Sequence, residues 1–172
     1  LMGLSRGRLH ASLDDAAQAH AEYMHALGTI THGESEDNPG FTGVSAEERM
    51  LTAGYPYEDG MMWSEVVAWG HTPQEAIDAW VGTVYHRIPF TMHSWTHLGF
   101  GQVESYSSMS FVSPWPDGVR DVVTYPVDGQ TDVPTQFDSD SEVPDPAPDH
   151  GIVGYPITVT VSDSETHGSD GY

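Results

Sequence analysis

The sequence changes its pattern near Trp115, and this change limits the folds that are open to the chain. Upstream of Trp115, helical periodicity with clear start and stop signals dominates. Downstream, short β-prone stretches alternate with Pro, Gly and Asp, which is too Pro-rich a pattern for much helix. At 172 residues the chain is long enough for one full core with some material left over. We therefore predict one domain over residues 1–115, followed by a Pro/Asp/Gly-rich β-type extension and polar tail over residues 116–172.

Three helices are predicted in the upstream part. In "SLDDAAQAHAEYMHALG", Ser12 is a good N-cap and Gly28 a typical C-terminal stop. A capping box opens a second helix at Ser45. The third helix has the strongest N-terminal signal, with Thr72 as the N-cap and proline in the first turn. We expect this helix to continue until Pro89 ends it.

A hairpin is predicted after the helices. "HLGFGQV" and "SMSFV" have the composition of paired short strands around a polar loop, Glu104 to Ser107. Gly99 and Gly101 inside the first strand predict that another backbone or side chain approaches closely there. Helices followed by an antiparallel hairpin favour a layered α/β (α+β) domain.

The charge balance restricts partners. The chain has 26 acidic and 5 basic residues, no lysine, and a formal net charge of −21. Such a surface repels nucleic acid and anionic membranes, and it suits high salt or cations, so a salt-adapted (halophilic-like) secreted protein is expected. With no cysteine, disulfides and thiolate chemistry are excluded. No apolar run reaches the roughly 20 residues of a transmembrane helix, and no signal peptide is visible in this chain.

His86 and Arg87 are the first candidate site residues. If the third helix continues to Pro89, His86 lies opposite Ile77, away from the apolar stripe, where a second layer or a cleft could meet it. Arg87 could pair with a carboxylate or orient an anionic group. The alternative is that the pair is a solvated helix end.

His32 and Glu65 complete the candidate set. His32 lies in a predicted loop beside Glu34, which would favour its protonated form. Glu65 is a lone carboxylate among apolar and aromatic residues and is therefore paired or functional. Two histidines and one glutamate from distant segments could bind Zn²⁺ with an open position, although spacing alone does not bring them together. His20, by contrast, is predicted to be a buried, hydrogen-bonded core residue.

The first two-thirds of the chain resembles the CAP superfamily (SCP/TAPS), which includes cysteine-rich secretory proteins, venom antigens and plant pathogenesis-related proteins. The bacterial branch is the most similar. The matching pieces occur in order: "LDDAAQAHAEYM", "ITHGE", "SAEERMLTAGY", "WSEVVAWG", "TPQEAIDAWVGTVYHR" and "HLGFGQV". No single piece is specific, but six in order carry the resemblance.

The resemblance implies a CAP-type three-layer α-β-α sandwich with a groove. It also implies that His32, Glu65 and His86 are members of the family's cavity tetrad, which binds divalent metal in several members. A fourth member, a second Glu, would fall near Thr83, where this chain has no carboxylate. The family's first helix, which would precede Gly3, is absent, so we expect a processed or truncated piece.

Three functions stay open at this point. The first is a secreted binding module, extracellular or at the cell surface, that binds a protein, peptide, lipid or glycan. Its His-containing groove would consist of His32, Glu65, His86 and Arg87. A divalent cation such as Zn²⁺ could bind there at His32 and His86. The second is a metal-dependent hydrolase with Glu65 as ligand or general base. The third is a structural subunit of an extracellular assembly. A serine nucleophile such as Ser35 lacks an elbow motif, and the acidic "DSDSEVPDPAPD" is predicted to be a solvated linker rather than a calcium site.

Overall fold

A four-stranded sheet forms the centre of the fold. The structure is a computed structural model that describes residues 7–58, 60–70, 72–92, 95–114 and 121–162. In the sheet order β1-β3-β4-β2, strands β2 and β3 run antiparallel to β4, and β1 runs parallel to β3. The strands are β1 (Arg8–Leu9), β2 (Met61–Trp69), β3 (His97–Val103) and β4 (Tyr106–Pro114).

Helices cover both faces of this sheet. On one face lie α1 (Ala11–Leu27) and α2 (Ala46–Thr52), whose Leu13 and Met50 share a buried cluster with Val112 of β4. On the other face lie α3 (Pro73–Gly82) and α4 (Ile88–Thr91), and Trp80 belongs to a second cluster there with Phe111. Alternate β4 residues thus point into separate cores. The predicted three-layer α-β-α sandwich is confirmed.

The predicted close approach at Gly99 and Gly101 is also confirmed. A Cβ built on Gly99 would overlap the backbone of Leu13, and one on Gly101 would overlap the backbone of Ala17 and Gln18. Helix α1 therefore lies directly on β3, and only glycine leaves room for it.

Helix α1 begins earlier than predicted. The N-cap is His10 rather than Ser12, because the His10 side chain accepts a hydrogen bond from the Ser12 N–H at 3.3 Å. The predicted stop is confirmed, since Gly28 adopts φ +74° after the last helical residue. In α2 the predicted cap is confirmed as well, with the Ser45 hydroxyl accepting from the Glu48 N–H.

The prediction that the third helix continues to Pro89 is wrong. Helix α3 ends at Gly82, where the Thr83 hydroxyl donates to the Trp80 carbonyl. The N–H groups of residues 84–86 do not continue the helix, because they bond to a carboxylate of the C-terminal extension. Pro89 lies in the first turn of α4, a position that needs no N–H. His86 is thus in a turn between two helices.

The hairpin has a tighter turn than predicted. Glu104 and Ser105 alone separate β3 from β4, and Glu104 adopts φ +49°, while Ser107 is part of the strand and buried.

The extension forms two small antiparallel ribbons in its described part. The strands pair β5 with β8 and β6 with β7: β5 (Asp121–Tyr125), β6 (Gln136–Asp138), β7 (Ile152–Gly154) and β8 (Thr158–Ser162). A short 3-10 helix, Ser139–Ser141, follows β6. The prediction of a solvated linker here is wrong for Ser139 and Glu142, which are buried. Trp115, as the predicted boundary, and nearly all of the polar tail lie outside the described residues.

Across the described ranges, no helix combines the length and the apolar character needed to cross a bilayer.

Candidate ligand groove

A cavity of about 600 Å³ lies between β2, α3, the loop after α1 and the extension. His32 and His86, 54 positions apart in sequence, both border it. The other lining residues are mostly apolar: Ile30, Thr31, Val67, Ala68, Trp69, Ala79, Trp80, Thr83, Ser141 and Val143. Two of them are exposed at the rim, Trp69 at 60% and Val143 at 89%. The arrangement is that of a binding cleft with apolar walls and few polar groups.

His32 is positioned by a carboxylate on the neighbouring strand. It follows the stop of α1, and its Nδ1 lies 3.0 Å from Oε1 of Glu65. Since a carboxylate accepts, Nδ1 carries the proton, and Nε2 is left as the acceptor of a neutral ring. The predicted neighbour Glu34 does not hydrogen-bond to His32. It is buried, with 5% of its surface exposed, and it bonds to His20.

Glu65 is almost fully buried beneath His32. Its Oε2 accepts from Nη2 of Arg49 at 2.7 Å, and the side chains are 3% and 1% exposed. Burial would raise the pKa of Glu65, but the hydrogen bond from His32 and the charges of Arg49 and His20 together lower it. The carboxylate is therefore ionised and fully engaged, and it is not among the residues that line the cavity.

The prediction that His20 is a buried, hydrogen-bonded core residue is confirmed. Its Nδ1 lies 2.8 Å from Oε1 of Glu34, and its Nε2 lies 2.8 Å from the carbonyl oxygen of Thr31. Both partners have acceptor oxygens, so both ring nitrogens are hydrogen-bonded. His20 forms one buried cluster with Arg49 and the carboxylates of Glu34 and Glu65.

His86 is held by Glu142 of the extension. Its Nδ1 lies 3.1 Å from Oε1 of Glu142, whose side chain is 0% exposed. The same carboxylate accepts from the backbone N–H groups of Val84, Tyr85 and His86. A residue more than 50 positions downstream thus places a carboxylate against His86.

The prediction that Arg87 lines the groove is wrong. Arg87 is 1% exposed, and its guanidinium lies over the ring of Tyr125 at 4.4 Å and near that of Tyr155 at 5.2 Å. It donates to the carbonyl of Pro156 at 2.9 Å and to the Tyr155 hydroxyl at 3.0 Å. Burial raises the pKa of Tyr155, which keeps this hydroxyl a neutral acceptor. Arg87 therefore fastens the extension to the domain.

The residues do not fit the three-ligand metal site that was predicted. Both oxygens of Glu65 are engaged by His32 and Arg49. Among the described residues, no group of three or more His, Asp or Glu is arranged to hold a metal ion. A cation at His32 and His86 therefore stays a prediction, and no chemical step is derived through one. Ser35 is equally unsupported as a nucleophile, because no described histidine hydrogen-bonds to its hydroxyl, which accepts from the Asp37 N–H.

Sequence reasoning missed Arg49 and Glu142. Arg49 could have been suspected, since it is one of few cations and lies in a helix beside apolar residues. Glu142 carried no signal, because six other acidic residues, from Asp128 to Asp149, share its surroundings in sequence.

The fold and groove together define a class: an α-β-α sandwich in which two histidines from separate segments border one cleft. A model of the CAP cysteine-rich secretory protein family matches residues 2–113. The chain belongs to this family.

One solved structure supports this fold. The chain is similar to an extracellular protein containing an SCP domain from Bacillus anthracis, with a TM-score of 0.55 and 19% identity over 64% of this chain and 34% of that one. The chain thus spans about a third of that protein. An outer surface protein from Borrelia burgdorferi has a TM-score of 0.47 and 16% identity, over 64% of this chain and 77% of that one. No curated protein matches the sequence.

Proposed function

We propose that this chain is an extracellular binding module whose groove takes a ligand with an apolar body and a polar group. The observation that carries the proposal is the cavity of about 600 Å³ with apolar walls, bordered by His32 and His86. The apolar walls would bury the body of a ligand, and the two imidazoles would meet its polar group.

The exposed rim supports the same function. Trp69 of β2 and Val143 of the extension both line the cavity and are exposed. Exposed apolar side chains beside a cleft are typical of a surface that a ligand covers. The description of the Bacillus protein as extracellular, together with the acidic composition, supports a place outside the cell.

A hydrolase is less well supported. The buried carboxylate of Glu65 is neutralised by Arg49 at 2.7 Å, so it is poorly placed to serve as a base or ligand. The assembly-subunit alternative stays a prediction.

The test uses 2-naphthalenemethanol, which combines an apolar body with one hydroxyl. We expect it to bind the whole chain with saturable quenching of tryptophan fluorescence. Trp69→Ala should weaken binding about tenfold, since a buried aromatic contact contributes about 1–2 kcal/mol.

Trp63→Ala is the matched control. Trp63 lies on the same strand and is 38% exposed, but it does not line the cavity. Equal effects of the two substitutions, or no saturable binding at all, would overturn the proposed groove.

A further inference from the structure

Glu142 does more than fasten the extension. Its carboxylate is fully buried and accepts from Val84 N at 2.8 Å, His86 N at 3.2 Å, Tyr85 N and the imidazole Nδ1 of His86 at 3.1 Å. Three of these donors are backbone groups, which would bond equally well to any acceptor. The fourth is the side chain that borders the groove.

The hydrogen bonds around Nδ1 of His86 define where its proton lies. The second neighbour of Nδ1 is the Thr83 hydroxyl oxygen, at 3.2 Å. The Thr83 hydroxyl donates its own hydrogen to the Trp80 carbonyl at 3.0 Å, so towards His86 it can only accept. Both neighbours of Nδ1 are therefore acceptors, and Nδ1 carries a proton.

In the neutral ring, Nε2 is then an acceptor. No described residue hydrogen-bonds to it, and the His86 side chain is 25% exposed at the cavity. His32 is arranged in the same way, with Nδ1 on Glu65. Two imidazoles from different segments thus offer acceptor nitrogens to one groove.

The short segment that carries Glu142 also forms part of the groove wall. Ser141 and Val143, on either side of Glu142, line the cavity. The segment is held independently, because Ser139 N–H donates to the Gly151 carbonyl at 2.9 Å and Arg87 binds the strand region around Pro156. Part of the groove wall and the orientation of one of its two histidines therefore come from outside the family domain.

We propose that Glu142 is a positioning residue that makes the groove selective for ligands with a neutral hydrogen-bond donor, such as a hydroxyl or amide N–H. It fixes His86 with Nδ1 protonated and presents Nε2 to the ligand. The proposal rests on the groove function above. A ligand that offers only an acceptor would leave its oxygen facing the lone pair of Nε2, which is unfavourable.

The first experiment needs no ligand. Long-range ¹H–¹⁵N spectra of the wild-type chain at pH 8 should show His86 as the Nδ1–H tautomer, with assignment by His86→Gln. A dominant Nε2–H form would overturn the proposal. Because free imidazole side chains favour Nε2–H, a dominant Nδ1–H form would show that the acceptors at Nδ1 determine the tautomer of His86.

The second experiment compares 2-naphthalenemethanol with its methyl ether, which lacks the donor. We expect the alcohol to bind about three- to tenfold more tightly, as one hydrogen bond allows. In Glu142→Ala this preference should fall by half or more, while the ether keeps its affinity within about twofold. Asp140→Ala is the control, since it removes an exposed charge from the same segment.

The outcomes separate the two proposals. If neither compound binds, the groove function fails. If both bind equally to the wild type, or the preference survives in Glu142→Ala, only the role of Glu142 fails. Should Glu142→Ala not fold, the tautomer measured on the wild type decides alone.

Discussion

Arg49 and Glu65 show how a single residue pair supports the groove. Their ion pair lies beneath His32 with both side chains nearly inaccessible to solvent. Buried pairs of this kind add little when complete but cost much when one partner is lost, because the other charge stays in a medium of low polarity.

We therefore expect Arg49→Met to destabilise the fold by about 3–5 kcal/mol. A thermal melt should show a loss on the order of 10 °C for a chain of this size. Arg8→Met is the control, since Arg8 is exposed. A change in melting temperature no larger than that of the control would contradict a buried ion pair.

The pH dependence of unfolding should change in the same variant. The pKa of Glu65 is lowered from its usual 4.5 in the folded chain, mainly by His32 and Arg49 acting against burial. Its contribution to stability is therefore complete above pH 4.5 and is lost as the pH falls through the lower folded value. In Arg49→Met this acid-dependent loss should begin at higher pH, which denaturant titrations between pH 3 and pH 6 would detect.

At the scale of elements, the contact of α1 with β3 determines the spacing of the layers. It brings the Asp14 carboxylate to within 2.9 Å of the Phe100 N–H and the Gln18 amide oxygen to within 3.1 Å of the Gln102 N–H. The helix thus bonds to residues of β3 that lie beyond its pairing with β1.

Gly101→Ala should disrupt this contact. The new methyl group would overlap the backbone of Gln18, and backbone cannot move aside as a flexible side chain can. We expect a loss of about 1–3 kcal/mol or more in urea unfolding. Gly154→Ala, in a strand of the extension where no atom lies within 4 Å of the added Cβ, should change stability far less. Similar losses for both would argue that glycine matters here for flexibility rather than space.

At the scale of the whole molecule, the net charge of −21 dominates. Carboxylates on the surface repel one another, and salt screens that repulsion over a Debye length that falls from about 10 Å at 0.1 M to about 3 Å at 1 M. We expect the melting temperature at pH 7 to rise steadily from 0.05 to 1 M NaCl.

The same titration near the isoelectric point of about 4.4 is the control. There the repulsion is largely gone, so salt should have much less effect. An equal rise at both pH values would point to a general salting effect instead of charge screening.

The sequence by itself determined the elements and the family. Caps, stops and glycines are local signals, so Ser45, Gly28 and the Gly99–Gly101 contact were predictable from near neighbours in sequence. The order of six motifs likewise indicated the sandwich and placed His32 and His86 at one groove. The end of α3 at Gly82 was not predictable, because the extension supplies the acceptor for the N–H groups that would have continued the helix.

Only the tertiary structure decided the partners of the charged residues. Glu142 bonds to His86 across 56 positions, and Arg87 reaches Pro156 across 69. In a chain with 26 acidic residues, local sequence cannot single out a buried carboxylate such as that of Glu142. That choice depends on which side chain the packed extension carries into the domain, since burial and hydrogen bonding exist only after the segments have met.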